Sequence, residues 1–402
     1  MMDADEIPQP AHAEKRPCMD IDLRRHCPTS MVAVVSKVLD DDDLLAEILL
    51  HVVFPTTLVR AALESKRWYH HASDRQFLRR FRKLHPPCLL GFYVVFMGAR
   101  FIPMQSQLPE LASIIRHVPS YSSCYWIDFK DCRNGIILTR DRKQGVLTYK
   151  MDSPLCPKRG MPIVPLPPST QGPVHIFSEI LSKEEGDGLS YFYLLVELTK
   201  EKKIMVHVYM LQDGVWCILT SATNQLHYYP LRRPNPVLVD NKIYMGASNN
   251  IPVLDLSAST FSAIHLPQGV EYASSEIQLS RTDDASGVYL IHLRPKEFQL
   301  CVWLHKEENW LLLDTIYLYE MRAISGKIDR LYVHIRQVGD NAQFVFLQIS
   351  QYVFYLDIKC RTLRKVYEMT VDEQSYVDIH PFMMIWPPIF PALKDDPARN
   401  AI

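Results

Sequence analysis

The stretch Val302-Trp303-Leu304-His305-Lys306-Glu307-Glu308-Asn309-Trp310 sets an apolar strand, a polar turn and a bulky residue opening a second strand in one short phrase. The same phrase recurs as Val206-His207-Val208-Tyr209 before Trp216, Val253-Leu254-Asp255-Leu256 before Phe261, and Val353-Phe354-Tyr355-Leu356 before Leu363. The four starts are spaced by roughly 50 residues, near the period of kelch-type propeller blades. Each period has room for four short strands, the content of one blade. Trp216, Phe261 and Trp310 hold equivalent places, which is expected of anchors buried between sheets. Other apolar runs, Tyr191 to Val196, Ile204 to Tyr209, Val237 to Tyr244, Val288 to Leu293 and Phe344 to Ile349, extend the all-β pattern. Asn134-Gly135, between Trp126 to Phe129 and Ile136 to Leu138, is a tight hairpin signal.

Working back toward the N-terminus, the pattern changes at Pro86. Between Asp40 and His85 the apolar residues keep helical spacing. The run Asp40 to Asp43 precedes Leu44, Leu45, Ile48 and Leu49, and carboxylates there satisfy free N–H groups and oppose the positive end of the helix dipole. Pro55 is placed to open a second helix carrying Leu58, Val59, Ala62 and Leu63. A third begins at Ser73 or Asp74, carries Phe77, Leu78, Phe81 and Leu84, and stops at Pro86-Pro87. Three short helices of about 45 residues form a marginal core, which implies support from a partner or from the next domain. The expected organisation is a disordered leader at 1–35, a helical domain at 36–87, a β-propeller-like domain of four-stranded blades at 88–392 and a tail at 393–402.

Composition narrows the function. The chain has 402 residues and a formal charge of -1, from 44 basic and 45 acidic side chains, so nucleic acid is not expected as a main partner. Nine cysteines without a Cys-x-x-Cys pair fit a reducing compartment, cytoplasm or nucleus. The acidic, proline-containing start does not read as a secretory signal, and Lys15, Arg16, Arg24 and Arg25 form at most a split import signal. The longest apolar runs, such as Cys88 to Ala99, fall short of the roughly 20 residues that span a bilayer, so no membrane role is expected.

Enzymatic motifs are missing. There is no Gly-x-Gly-x-x-Gly, P-loop, His-Glu-x-x-His or Gly-x-Ser-x-Gly pattern, and glycines number only fourteen. His70 and His71, as neighbours, point to different sides of a helix. Asp283-Asp284 and Glu307-Glu308 read as solvated turn residues. Arg79, Arg80, Arg82 and Lys83 read as a solvated helix face. No catalytic residue, metal or cofactor is expected.

The segment Leu39-Asp-Asp-Asp-Asp-Leu-Leu-Ala-Glu-Ile-Leu-Leu50, followed by Phe54-Pro-Thr-Thr-Leu-Val-Arg-Ala-Ala-Leu-Glu-Ser-Lys-Arg-Trp68, resembles an F-box. Its continuation, His71 to Pro87 and then Leu89-Leu-Gly-Phe-Tyr93, resembles the large F-box family of grasses, whose C-terminal region is an associated propeller-like domain. The usual Leu-Pro opening is absent, and Ser65 stands where many members have Cys. The resemblance implies a non-catalytic substrate receptor of a Skp-cullin-F-box ubiquitin ligase. Leu44, Leu45, Ile48, Leu49, Pro55, Leu58, Val59 and Leu63 would supply the face that docks a Skp-type adaptor and, through it, cullin. Lys66 and Trp68 would close the motif. The β domain would hold a protein substrate, at residues the sequence does not single out. An F-box-like propeller acting as a ligase-independent scaffold is the alternative, and a kelch-like oxidase the third reading.

Overall fold

The computed structural model describes residues 35–390 except 36, 105–111, 114, 122–126, 144–145, 157–162, 170–173, 186–187, 202, 225–234, 247–249, 272, 274, 283–286, 319–332 and 389. The expected leader and tail, the import signal, Trp126 and Asp283-Asp284 therefore lie outside the described residues, apart from Val35. Two compact units result: one takes residues up to His85 together with Phe390, the other runs Pro86–Ile389.

Where three helices were expected, the described residues of the first unit hold α1 (Asp42–Leu50), α2 (Pro55–Ala62), α3 (Lys66–Ser73) and α4 (Arg75–Leu84), preceded by helical residues at 37–40. The extra helix, α3, is Lys-Arg-Trp-Tyr-His-His-Ala-Ser, and its buried residues are only Tyr69 and Ala72, too few to show a period in the sequence. Caps set the boundaries. The Asp41 carboxylate accepts from the N–H groups of Asp43 and Leu44, both at 3.0 Å. Ser65 accepts from Trp68 N–H at 3.2 Å, and Asp74 from Gln76 and Phe77 at 2.9 Å. Pro55 opens α2, as its missing donor allows. Leu45, Leu49, Leu50, Leu58, Tyr69, Phe77 and Phe81 fill the core.

The second unit is a ring of six sheets. Five are four-stranded antiparallel blades: β3–β6 (Ile127 to Val164), β7–β10 (Val174 to Asn224), β11–β14 (Val237 to His265), β15–β18 (Ile277 to Tyr317) and β19–β22 (Val333 to Glu368), here blades 1 to 5. Among the described residues blade 6 has three strands. It joins β1 (Leu89–Phe96) and β2 (Gly98–Pro103) from the start of the unit to β23 (Asp378–Met383) from its end, in the order β2-β1-β23. Tyr121 adds an isolated bridge to Ala99 on β2. The pairing of β1 with β23, from Leu89 opposite Met383 to Val95 opposite Asp378, closes the ring. The innermost strands β3 (Ile127–Arg133), β7 (Val174–Glu185), β11 (Val237–Val239), β15 (Ile277–Arg281), β19 (Val333–Val338) and β23 each meet the next, and β23 meets β3.

Apolar clusters fill the six seams. Tyr193, Leu138 and Trp216 pack between blades 1 and 2; Leu194, Val206 and Leu254 between 2 and 3. Ile251, Ile277 and Leu290 pack between blades 3 and 4; Leu300, Val345 and Leu356 between 4 and 5; Phe92, Phe346 and Ile379 between 5 and 6. The last seam, between blades 6 and 1, is aromatic: Tyr93 lies 5.1 Å from Phe129 and 5.7 Å from Phe382, ring centre to ring centre.

The repeat phrase falls on the third and fourth strands of blades 2 to 5. Trp216, Phe261, Trp310 and Leu363 are each the second residue of the outermost strand. In three of these strands one residue bulges out of register three positions later: Leu219, Leu313 and Val366. The Trp216 indole N–H donates to the Pro165 carbonyl, just past the outer strand of blade 1, at 2.9 Å. Trp310 does the same to His265, the last residue of the outer strand of blade 3, at 2.7 Å. Trp216 is buried, as expected. Trp310 is only half-buried, a correction: it packs on the margin of the blade 3 to 4 cluster with His305 at 4.9 Å, whereas Trp216 is a buried member of its own cluster and meets Tyr193 at 6.0 Å.

Candidate docking face and axial site

The ten residues assigned above to the docking face divide into two sets. Leu45, Leu49, Pro55 and Leu58 are buried within the helical unit and hold it together. Leu44 is 46% exposed, Ile48 42% and Leu63 57%; Lys66 is exposed, and Val59 and Trp68 are partly covered. Leu44 and Ile48 are four residues apart and share one face of α1. Val53, 66% exposed in the turn before α2, adds to the exposed apolar surface and is missing from the set assigned by sequence. Its position outside any helical period kept it out of that set.

Polar contacts fix this unit beside its apolar surface. Arg67 donates to the Asp42 carboxylate at 2.8 Å and to the carbonyls of Leu39 at 2.5 Å and Asp40 at 2.7 Å. His71 adds a 2.9 Å contact to the same carboxylate, and together Arg67 and His71 hold the Asp42 carboxyl below its ordinary range. Arg80 pairs with Glu47, tying α4 to α1. His85 Nε2 bonds to the Leu50 carbonyl at 2.8 Å. The Tyr69 ring meets Phe390 edge-on at 5.7 Å, so the chain returns to this unit after the last strand.

In the second unit, charged groups gather at the axis. Arg281, ending β15 of blade 4, donates to Asp340 after β19 at 2.8 Å and to Glu184 near the end of β7 at 3.4 Å. Arg133, ending β3, lies 3.6 Å from Asp340. These contacts join blades 1, 2, 4 and 5, so two of them run between blades that are not neighbours. Further along β7, burial pushes the Glu179 carboxyl up to about 7, against a downward pull from Lys130. At the blade 5 to 6 seam the buried Glu373 carboxylate accepts from Arg100 at 2.7 Å, Thr370 N–H at 2.8 Å and the Tyr367 hydroxyl at 2.9 Å. Among the described residues no group of His, Cys, Asp and Glu is arranged to hold a metal ion, and no helix is long and apolar enough to cross a membrane.

Comparison with known proteins gives a family match. The model described as "F-box protein AT5G49610-like, beta-propeller" matches residues 128–390, which covers blades 1 to 5 and β23. No curated protein matches the chain. Among solved structures the chain is similar to TolB from Acinetobacter baumannii, at 13% identity and TM-score 0.37, over 59% of this chain and 54% of TolB. It is also similar to a protein from Lactobacillus plantarum, at 12% identity and TM-score 0.32, over 73% of this chain and 86% of that one. Prolyl oligopeptidase B from Galerina marginata follows at 13% and 0.34, over 69% of this chain and 39% of that one. The chain thus spans about half the length of TolB, and likenesses this distant carry no argument about activity.

Proposed function

The chain belongs to the family of F-box proteins with an AT5G49610-like beta-propeller, and from that premise we propose that it is a non-catalytic substrate receptor of a Skp-cullin-F-box ubiquitin ligase. The helical unit, within 36–87, docks a Skp-type adaptor and through it cullin, while the propeller holds a protein substrate. One observation carries the docking half: Leu44, Ile48 and Leu63 are left exposed while Leu45, Leu49, Leu50 and Leu58 of the same helices and turns are buried. Exposed apolar groups of this size are what an interface covers. Leu45, Leu49, Pro55 and Leu58 then act by shaping that surface, with Val59, Lys66 and Trp68 at its margin. Rate in such a receptor arises from proximity between the substrate's lysines and the ubiquitin carrier. The finer reading, a grass-type member with kelch-like blades working in cytoplasm or nucleus, rests on the junction sequence and the roughly 50-residue period.

Co-purification with adaptor and cullin tests this. The double variant Leu44→Asp, Ile48→Asp should lose the adaptor while keeping the parent circular-dichroism spectrum, because both side chains start at the surface. Leu58→Asp cannot serve the same purpose, since a buried charge there would break the unit itself. Adaptor capture by the double variant equal to that of the parent would overturn the docking assignment. A parent chain that captures neither adaptor nor cullin would favour the ligase-independent scaffold.

A further inference from the structure

The solvent face of α4 has no role in docking through Leu44 and Ile48. Arg75, Arg79 and Lys83 stand at i, i+4 and i+8, on the side opposite the buried Phe77 and Phe81. All three are exposed, and half-buried Arg82 flanks them. Two cations of the same unit are spoken for, Arg67 by Asp42 and Arg80 by Glu47. No ion pair among the described residues takes in Arg75, Arg79 or Lys83.

Such a stripe opposes the stability of its own helix. Like charges at four-residue spacing repel each other. The helix dipole offsets this at Lys83, near the C-terminal end, but Arg75 sits in the first turn, where the dipole disfavours a cation. The whole chain carries a net charge of -1, so the stripe is a local concentration and not the edge of a general positive field. Eight residues at 1.5 Å rise make it about 12 Å long, with successive cations about 6 Å apart. That step equals the spacing of carboxylates at every fourth position of a second helix. Nucleic acid is the poorer match, because one row of three cations neutralises few phosphates and the acidic run Asp40 to Asp43 lies on the same unit.

We propose that Arg75, Arg79 and Lys83 on α4 form a docking stripe for an acidic helical segment of a protein partner, with carboxylates at every fourth residue. The stripe works independently of the adaptor reading and speeds encounter more than it holds the complex, as charge complementarity does.

The test uses the full chain and two synthetic peptides of one composition, followed by fluorescence anisotropy. One places Glu at every fourth position along a helix; the other scrambles those positions around the helix. The ordered peptide should bind about tenfold more tightly than the scrambled one, and raising salt should weaken it. The triple variant Arg75→Glu, Arg79→Glu, Lys83→Glu should lose binding at least about tenfold. The substitutions Arg75→Lys and Arg79→Lys should retain it. Unchanged affinity in the charge-reversed chain, with an unchanged circular-dichroism spectrum, would overturn the proposal. Equal affinity for both peptides would overturn its spacing, and tighter binding to a DNA duplex than to either peptide would overturn the protein partner.

Discussion

Blades 2 and 4 are built to one plan and finished differently. Each has a tryptophan second in its outermost strand, an indole N–H bonded to a carbonyl at the outer edge of the preceding blade, and a bulged leucine three residues on. Each enters that strand by a two-residue turn with both residues at positive φ, Asp213-Gly214 in one and Glu307-Glu308 in the other. Each leaves apolar residues exposed on the outer strand, including Val215 and Ile218 in blade 2 and Leu311 to Leu313 in blade 4. Blade 3, by contrast, exposes mainly small and polar residues on its outer strand, and blade 5 mainly polar and charged ones. The shared parts are those that fix the angle between neighbouring blades. The parts that differ are the degree of burial and the turn chemistry, which a closed ring tolerates because six seams share the load.

The largest expected effect breaks the tie between the two blades. Arg281 of blade 4 reaches Glu184 of blade 2 and Asp340 after β19, and its side chain is largely buried. Arg281→Ala removes the largely buried cation that Glu184 and Asp340 share, with Arg133 remaining beside Asp340, and should cost about 3–5 kcal/mol. Thermal melts would read this as a large drop in Tm. A Tm equal to the parent's would show that blades 2 and 4 are held by their seams alone.

The tryptophans sharpen the comparison. Trp216→Ala removes a buried indole and should cost about 3–5 kcal/mol. Trp310→Ala, starting half-buried, should cost roughly half as much, since less apolar area is lost. Denaturant unfolding of the two variants gives the difference directly. Equal losses would mean that the indole hydrogen bond to the preceding blade, common to both, outweighs burial.

Acid titration separates the inner strands of the two blades. Glu179 lies on β7, near Lys130 and Asp128 of β3 and Arg140 of β4 (Ile136–Lys143), whereas β15 has uncharged Gln278 and Ser280 before its final Arg281. Burial raises the folded-state value to about 7 from the ordinary 4.5. The folded chain then holds a proton that the unfolded chain has lost, so this group's contribution to stability falls as pH rises from 4.5 to 7. Glu179→Gln should flatten the pH dependence of Tm across that window. An unchanged slope would place the proton elsewhere.

Much of this was legible in the sequence, and the rest has physical reasons for staying hidden. Asn134-Gly135 announced a turn that the structure contains, with both residues at positive φ. The strand, turn and bulky-residue phrase marked third and fourth strands because local chemistry writes those hairpins. Blade 6 was illegible, since β1 and β23 stand nearly the whole unit apart and no local pattern encodes their pairing. The axial charges looked like ordinary surface residues, because what buries Arg281 is separated from it by 59 and 97 positions. In α1 the period placed Leu44 and Leu45 on one side, yet Leu45 is fully buried and Leu44 is half exposed. Helical spacing gives a face about two residues wide, and which edge of it stays open depends on how α3 and α4 pack.

The smallest effect lies in the turns. A type I′ turn needs both central residues at positive φ, which Asn-Gly or Asp-Gly adopt with little strain. Asp213 and Gly214 sit at φ of 48° and 75°, and Glu307 and Glu308 at 51° and 69°, so blade 4 holds two side-chain-bearing residues in a region that L-residues disfavour. Their carboxylates are also adjacent and exposed, which adds mutual repulsion. Replacing Glu307-Glu308 by Asn-Gly should therefore stabilise the chain by about 1 kcal/mol, a rise of a few degrees in Tm at most. The reverse exchange, Asp213→Glu with Gly214→Glu, should cost a similar amount, because nothing lies near enough to Gly214 to clash with the new side chain and only backbone strain is introduced. Opposite shifts of similar size would show that the two turns are interchangeable parts of one plan. A destabilised Asn-Gly variant would instead mean that the glutamates make contacts that outweigh their strain, and blade 4 would then differ from blade 2 in more than finish.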